Sequence, residues 1–354
     1  MTVNFLRDIL AGAVVLGVLV LLHEWGHFIV AKLCGVRVDV FSIGFGPRLC
    51  GVKRGDTDYR LSALPLGGYV RMAGDNPVEE RTGAPYEFLS RPRWQRFLIA
   101  IAGPIMNLGA TVAILWGIYS FVGLPFLPPV IDEVQPASPA ESAGLKSGDV
   151  IVSLDGKPIA AWPDLADAIR GSNGRQLQLV IQRDGQQIPI SVTPAHLKDS
   201  DGSTPWMIGV SRPGQEKYRH VAPLRAAEAA FTSTATGSRE WASVIIGLFS
   251  GRVSVHDLAG PVGIVRMSGQ AAKDGPLELF ELTAIISLNL GLLNLMPIPI
   301  LDGGHVLMLA IEGLLQRDLS IAVKERFVQV GLVFLLSVFA FVMYSDIVKV
   351  IQTR

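Results

Sequence analysis

The chain has 354 residues, of which 49% are hydrophobic and 18% are charged, with a formal net charge of +0 and a mean hydropathy of +0.40. Soluble globular domains carry about 25% charged residues, so this composition predicts a membrane protein with a soluble part. A balanced charge provides no electrostatic footprint for nucleic acid, which excludes that class of partner.

The first predicted element is an apolar helix that runs into a histidine motif. Residues 9–22 contain no charge, and the apolar character resumes at Phe28 after the sequence HEWGH. Because no small-residue cleavage site follows, we expect a retained transmembrane helix and not a cleaved signal peptide. The uncharged run is short for a bilayer, so the helix is predicted to continue to about Leu33.

The histidine motif has the pattern H-E-x-x-H, formed by His23, Glu24 and His27. In a helix, positions i and i+4 share one face, so both imidazoles can reach one ion. Glu24 can then accept a proton from a water molecule that the ion activates, without binding the ion itself. The alternative is a pair of core histidines. Ionisable groups at membrane depth usually mark a functional site, which favours the metal.

Residues 40–75 follow as a predicted membrane-associated β-region on the cytoplasmic side. The glycine-rich sequence FSIGFGP at 41–47 favours a tight turn near the membrane surface. The segment Tyr59–Met72 indicates two strand-like pieces around Pro65 and Gly67-Gly68. These pieces fit a surface hairpin or an edge strand that binds an extended substrate beside the active site, and the sequence leaves both open.

The second predicted span is Phe97–Leu124, which runs for 28 residues without a charge. It contains AGPIMNLG, in which Gly103, Asn107 and Gly109 recur at near-helical spacing. Small residues let helices approach closely, and an asparagine can hydrogen-bond across such a contact. We therefore interpret this motif as helix packing, with a kink at Pro104.

A soluble domain is predicted at 127–197, where strands, a short helix and a final hairpin follow one another. The hairpin signal is two alternating apolar runs joined by Asp184-Gly185. The order of elements resembles a PDZ domain, a fold that binds a peptide or protein ligand by strand addition. Residues 198–281 are predicted to form an amphipathic linker region, either on the membrane surface or packed on the transmembrane core.

The third predicted span starts near Leu282 and ends in the sequence NLMPIPILDGGH. Two prolines break the helix there, which a membrane tolerates only where protein or a water-filled cavity surrounds the freed backbone. Such a break can bring Asp302 to membrane depth, where the ion held by His23 and His27 would be its partner. Two histidines and a carboxylate with an open fourth position form a catalytic type of zinc site.

Two further polar residues near this break have alternative roles. His305 is a rival third ligand, which we disfavour because two histidines and one carboxylate are the expected set. Asn294 is predicted either to stabilise an oxyanion or hold the substrate, or to form an interhelical hydrogen bond.

A fourth span is predicted at Phe327–Tyr344. Basic residues concentrate in the loops between spans one and two and between spans three and four, so both loops are expected to be cytoplasmic. This orientation places both termini and the PDZ-like domain outside the cytoplasm and the metal site near the cytoplasmic side.

The predicted fold class is a multi-pass α-helical membrane protein with four transmembrane helices, a membrane-associated β-hairpin or sheet, and one extracytoplasmic α+β PDZ-like domain. The predicted domains are an N-terminal membrane half, a PDZ-like domain, a linker region and a C-terminal membrane half, at 1–126, 127–197, 198–281 and 282–354.

With HEWGH on span one and NLMPIPILDGG on span three, the chain resembles the site-2 protease family, and most of all the bacterial RseP-type intramembrane zinc metalloproteases. The resemblance covers nearly the whole chain. It implies that His23, His27 and Asp302 bind Zn²⁺, that Glu24 is the catalytic base, and that Asn294 assists substrate or transition-state binding. One departure is the single PDZ-like unit, since the closest-named relatives carry two in tandem.

The resemblance also implies partners and a location. The implied substrates are single-span membrane proteins, such as anti-sigma factors or remnant signal peptides, which the family cuts within or near the lipid bilayer of the bacterial inner membrane. An alternative function is a PDZ-bearing membrane adaptor without proteolytic activity. A transporter with a broken helix ranks last, because the sequence has no internal repeat.

Overall fold

A computed structural model describes residues 2–75, 82–197, 204–212, 214, 217–252 and 260–352. The chain divides into two units. The membrane unit combines Met1–Ile118 with Ala227–Arg354, and the central domain is Tyr119–Ala226.

The described residues form helices, strands and one short 3₁₀ helix at Phe88–Ser90. In chain order the labelled elements are α1 (Thr2–Leu33), β1 (Val38–Arg54), β2 (Thr57–Met72), α2 (Arg93–Phe121), β3 (Leu124–Phe126), α3 (Pro139–Ser142), β4 (Val150–Leu154), β5 (Lys157–Pro158), α4 (Trp162–Arg170), β6 (Leu177–Arg183), β7 (Gln186–Val192), β8 (Ala195–His196), β9 (Trp206–Met207), β10 (Lys217–Arg219), α5 (Pro223–Phe249), α6 (Pro261–Asp274), α7 (Pro276–Asn294), α8 (Asp302–Leu315) and α9 (Ile321–Gln352).

Four helices in the described ranges are long and apolar enough to cross a membrane. They lie in α1, α2, α7 and α9, which agrees with the four predicted spans. The first candidate span is Leu6–Leu33, so the helix does continue through HEWGH as predicted. The HEWGH motif therefore lies within a candidate membrane-spanning helix and not in the loop that follows it.

The β-region consists of two long antiparallel strands, β1 and β2, whose pairing is strongly irregular. Val40–Ile43 in β1 lies opposite Asp58–Leu61 and also opposite Gly68–Arg71, so the two strands form a folded sheet. The expectation of a tight turn at 41–47 is wrong, because these residues belong to β1. Gly44 and Gly46 have φ values of +87° and +89° there, and they support register shifts within the strand.

Helix α6 packs along the N-terminal half of α1. Buried side chains of α1, α6 and α7 form one apolar cluster that includes Val15, Leu19, Ala271 and Leu282. The helices approach closely where Gly12 faces Val265, since a Cβ added at Gly12 would lie 3.0 Å from Val265 Cγ2. Part of the segment predicted as a linker region is thus packed against the helix that carries the histidines.

The first turn of α6 is capped by a residue from α9. The buried Asp346 of α9 accepts hydrogen bonds from the backbone N–H groups of Gly260 at 3.2 Å and Gly263 at 3.0 Å. A carboxylate at a helix N-terminus accepts hydrogen bonds from N–H groups that have no partner within the helix, and it interacts favourably with the positive end of the helix dipole. Asp346 therefore fastens α9 to α6.

The central domain is built around a four-stranded sheet in the order β5-β4-β6-β7. The predicted hairpin is β6–β7, and Asp184 and Gly185 adopt φ values of +52° and +80° in its turn. The core is apolar and includes Ile151, Leu165, Leu177, Leu179, Ile181 and Ile208. Ile208 lies beyond residue 197, so the domain uses chain that the sequence prediction assigned to the linker.

One ion pair fixes the loop before β4 to the end of β6. The Asp149 side chain is 1% exposed and accepts two hydrogen bonds from the Arg183 guanidinium, both at 2.7 Å, and one from the Lys146 backbone N–H at 2.8 Å. Burial alone would raise the pKa of the Asp149 carboxyl, but these bonds hold the pKa below its ordinary value. The charged form of Asp149 therefore stabilises the folded domain.

We predict that Asp149→Asn lowers the free energy of unfolding of the central domain by about 3 kcal/mol at pH 7, because it leaves Arg183 without its charged partner. A carboxyl with a lowered folded-state pKa stabilises the fold above its unfolded pKa of about 3.9 and loses this contribution as the pH falls through the folded value. Hydrogen exchange of β4 and β6 amides in the full chain measures both effects.

The difference between parent and variant should therefore shrink below about pH 4. Asp167→Asn is the control, because the Asp167 side chain is 79% exposed and its contact with Arg170 is long, at 3.7 Å. A deficit in Asp149→Asn that is constant from neutral to acidic pH would contradict the role of the charge.

Candidate metal centre

His23 and His27 lie one turn apart in the C-terminal third of α1 and point to the same place. Both residues are buried, with 7% and 8% exposure, and their Nε2 atoms are 3.2 Å apart. The i, i+4 spacing thus does bring both imidazoles to one point, as the sequence predicts.

Asp302 reaches the same point because the chain breaks between α7 and α8. Its Oδ2 atom lies 3.0 Å from His23 Nε2 and 3.4 Å from His27 Nε2. The break includes Ile300 at φ +80°, a conformation that a β-branched residue rarely adopts. This strained turn ends at Leu301, so α8 begins with Asp302 facing the histidines.

The two glycines after Asp302 have a steric reason. A Cβ added at Gly303 would lie closer than 3.0 Å to the carbonyl oxygens of Leu295 and Met296, and one at Gly304 would meet Ile298 in the same way. Only glycine lets the start of α8 pack onto the proline-containing segment. The sequence LDGG is therefore a packing requirement that holds Asp302 at the histidines.

The three atoms fit a zinc ion. Ligands bound tetrahedrally at about 2.0–2.1 Å lie about 3.3 Å from one another. The observed spacings of 3.0, 3.2 and 3.4 Å are close to this value. Asp302 Oδ2 is also a buried oxygen without a hydrogen-bond partner, which is the kind of atom that a cation stabilises. Among the described residues, this is the one group of three such side chains close enough to share an ion.

Glu24 lies beside the three atoms and is held by the β-region. Its Oε2 accepts a hydrogen bond from the Val70 backbone N–H at 3.1 Å. Val70 belongs to the stretch Gly67–Met72 of β2, most of which lines a cavity of about 770 Å³ together with Glu24 and the two histidines. Of the two alternatives left open by the sequence, the geometry favours a strand beside the site.

Asn294 and His305 line the same cavity from opposite sides of the helix break. Asn294 is the last residue of α7, and His305 is in the first turn of α8. His305 is not one of the three side chains whose ligand atoms converge, so the geometry favours Asp302 over His305 as the third ligand.

Helix α2 contributes to the site in a way that the sequence interpretation missed. His27 Nδ1–H donates to the Ile99 carbonyl oxygen at 2.7 Å, and the Asn107 side-chain amide lies 3.3 Å from His23 Nδ1. Gly103 faces both imidazoles, so AGPIMNLG does more than pack helices. The signal in the sequence was Asn107, a single asparagine near a glycine in an uncharged span. This signal does not show which helix the asparagine faces.

The approach of α2 depends on a second glycine as well. A Cβ added at Gly26 would lie closer than 3.0 Å to the Ala102 carbonyl carbon and oxygen, so the backbones of α1 and α2 touch between the two histidines. The HEWGH motif thus requires its glycine for helix packing, in addition to its two histidines.

Comparison with known proteins gives several matches. A profile described as peptidase family M50 matches residues 11–338. The Agrobacterium fabrum protein Atu1380 is 35% identical over 95% of this chain and 94% of its own length. The regulator of sigma-W protease RasP of Bacillus subtilis is 30% identical over 97% of this chain and 99% of its own length. The zinc metalloprotease RasP of Geobacillus kaustophilus is 30% identical over 98% of this chain and 99% of its own length.

Among solved structures, the PDZ domain of the SdrC-like protein Lin2157 from Listeria innocua matches 25% of this chain and 96% of its own length. The identity is 19% and the TM-score is 0.22.

We predict that Gly103→Ala removes zinc binding without unfolding the protein. The added Cβ would lie 2.7 Å from His23 Nε2 and closer still to His27 Nε2, so it would fill the space of the ion. Zinc affinity is expected to fall by at least about 100-fold. Metal analysis of the purified protein and chelator competition measure this change.

Gly109→Ala is the matched control, because it is the same change in the same helix with nothing within 4 Å of the added atom. Alanine favours helix in both variants, so a general loss of folding is not expected. Parental zinc affinity in Gly103→Ala would show that the ion does not lie between the imidazoles and α2.

Proposed function

This chain belongs to peptidase family M50, the site-2 proteases, and we propose that it hydrolyses peptide bonds of single-span membrane proteins at the cavity around His23, His27 and Asp302. Membership makes it an intramembrane zinc metalloprotease, and the adaptor alternative without proteolytic activity is set aside. The observation that carries the proposal is the meeting of two imidazole nitrogens and a carboxylate oxygen from distant helices, all within 3.4 Å.

The proposed roles divide between three ligands and a base. His23, His27 and Asp302 would hold the zinc ion, which supplies Lewis-acid activation of water and of the scissile carbonyl. Glu24 would accept the proton of the attacking water and pass it to the leaving amine. Asn294 lines the same cavity and would donate its amide N–H to the oxygen of the reacting carbonyl.

The β-region suggests how a substrate is held. A peptide bond inside a helix is shielded, so the substrate segment must unwind before it is cut. The stretch Gly67–Met72 borders the cavity and would pair with the unwound segment by strand addition. Two N–H groups of this edge, at Val70 and Met72, already donate to the carboxylates of Glu24 and Asp75. An incoming strand would therefore compete with Glu24 for the Val70 N–H.

We further propose that the protein is a multi-pass protein of the bacterial inner membrane, with the central domain and both termini outside the cytoplasm. The loop that follows α1 is rich in basic residues, which favours a cytoplasmic location. The two histidines are in the C-terminal third of α1 and so would lie near the cytoplasmic side. The central domain would bind a peptide or protein ligand in the manner of PDZ domains.

We predict that Glu24→Gln keeps about one zinc ion per chain and lowers the cleavage rate about 10²- to 10⁴-fold, because the amide cannot accept the proton of water. Zinc analysis and cleavage of a single-span substrate in reconstituted vesicles measure the two effects. The proposal fails if Glu24→Gln cleaves the substrate as fast as the parent protein.

The identity of the third ligand is tested by Asp302→Ala and His305→Ala. We expect Asp302→Ala to lose zinc, because Asp302 Oδ2 is 3.0 Å from His23 Nε2. His305→Ala should keep zinc, since its ligand atoms are not among those that converge. Zinc content after dialysis decides between them, and the reverse pattern would assign the third position to His305.

A further inference from the structure

We propose that Asn107 is a positioning residue whose side-chain oxygen accepts a hydrogen bond from His23 Nδ1–H, so that the unprotonated Nε2 of His23 faces the metal. The inference rests on the metal centre proposed above. Asn107 is fully buried in α2, and its amide lies 3.3 Å from His23 Nδ1. The sequence interpretation assigned this asparagine only to helix packing.

The protonation of His23 decides which end of the amide must face it. A neutral imidazole carries one proton, so one ring nitrogen donates and the other accepts. If the amide N–H₂ donated to Nδ1, the proton of His23 would be on Nε2. Nε2 lies 3.2 Å from His27 Nε2 and 3.0 Å from Asp302 Oδ2, and a protonated nitrogen there could not bind an ion.

Rotating the Asn107 amide by half a turn removes this conflict. The oxygen then accepts Nδ1–H, and Nε2 is free to bind the metal. The two ends of an amide have nearly the same shape, so the hydrogen-bond network sets the orientation. The side-chain oxygen Oδ1 has no hydrogen-bond partner when the nitrogen faces His23, so the rotation sacrifices no existing bond of that atom.

His27 shows the same arrangement with an oxygen that cannot be exchanged. Its Nδ1–H donates to the Ile99 carbonyl at 2.7 Å, and a carbonyl can only accept. Metal-binding histidines almost always donate the second ring N–H to an oxygen, which fixes the tautomer and orients the ring. Helix α2 would thus supply one oxygen to each histidine, from Ile99 and from Asn107.

The backbone of Asn107 is held in place from another helix. Its carbonyl oxygen accepts a hydrogen bond from Ser287 Oγ of α7 at 2.8 Å, and a second from Thr111 Oγ1 of its own helix at 3.1 Å. Ser287 and Thr111 are themselves buried. The side chain of Asn107 therefore starts from a fixed point, which a residue that sets the orientation of a ring requires.

The test compares Asn107→Asp with Asn107→Leu in the full-length protein. A carboxylate can accept Nδ1–H, whereas leucine keeps similar volume and cannot. We expect zinc affinity, measured by chelator competition, to fall 10- to 100-fold in Asn107→Leu and to stay within a few-fold of the parent in Asn107→Asp. The absorption spectrum of the cobalt-substituted protein should be altered in the leucine variant and preserved in the aspartate variant.

Gly109→Ala is the control, because it changes helix α2 two residues from Asn107 and nothing lies within 4 Å of the added Cβ. Its zinc affinity should equal that of the parent. Asn107→Ala, expected to lose affinity as leucine does, serves as the second variant if leucine prevents folding. Parental affinity in the leucine and alanine variants, or an aspartate variant as weak as leucine, would overturn the proposal.

These outcomes are separable from a failure of the proposed function. A parent protein without zinc, or an active Glu24→Gln variant, would refute the proposed chemistry. Parental zinc affinity in Asn107→Leu, together with an inactive Glu24→Gln, would leave the enzyme proposal intact and refute only the role of Asn107.

Discussion

The convergence of His23, His27 and Asp302 is the constraint on which the membrane unit depends. Two imidazoles and a carboxylate at membrane depth are costly unless each has a partner. Two of them are neighbours on one helix, but the third is almost 280 positions further along the chain. The fold must therefore hold α1, α2 and the α7–α8 break together with sub-ångström tolerance, which flexible loops alone would not provide.

Glycine residues set this tolerance. Gly26 lets α1 touch α2, Gly103 leaves open the space between α2 and the imidazoles, and Gly303 with Gly304 seats the start of α8. At Gly26, Gly303 and Gly304 an added Cβ would meet backbone atoms, and at Gly103 it would meet the two imidazole rings. Short sequence motifs that look like lists of reactive residues thus also contain the steric conditions for bringing those residues together.

The sequence was most informative where one local rule was enough. Helical periodicity places His23 and His27 on one face, and uncharged length predicts the four spans. The two prolines predict a helix break that brings Asp302 to the histidines, and Asp302 does lie there. Local rules did not reveal that Asn107 faces His23, because the partner of a helix face depends on how the helices pack. Local rules also predicted a turn at 41–47, where the structure has a strand. The glycines there support an irregular strand pairing, and their composition resembles that of a turn.

The cap on α6 has a consequence for how the protein is made. Helix α6 packs on α1, yet the carboxylate that closes its first turn belongs to Asp346 in α9. During synthesis α1 and α6 leave the ribosome well before α9. Until α9 is made, the N–H groups of Gly260 and Gly263 therefore lack the Asp346 carboxylate as an acceptor. The membrane unit therefore lacks this fastening until α9 has inserted, and nascent chains that stop short of α9 would not form it.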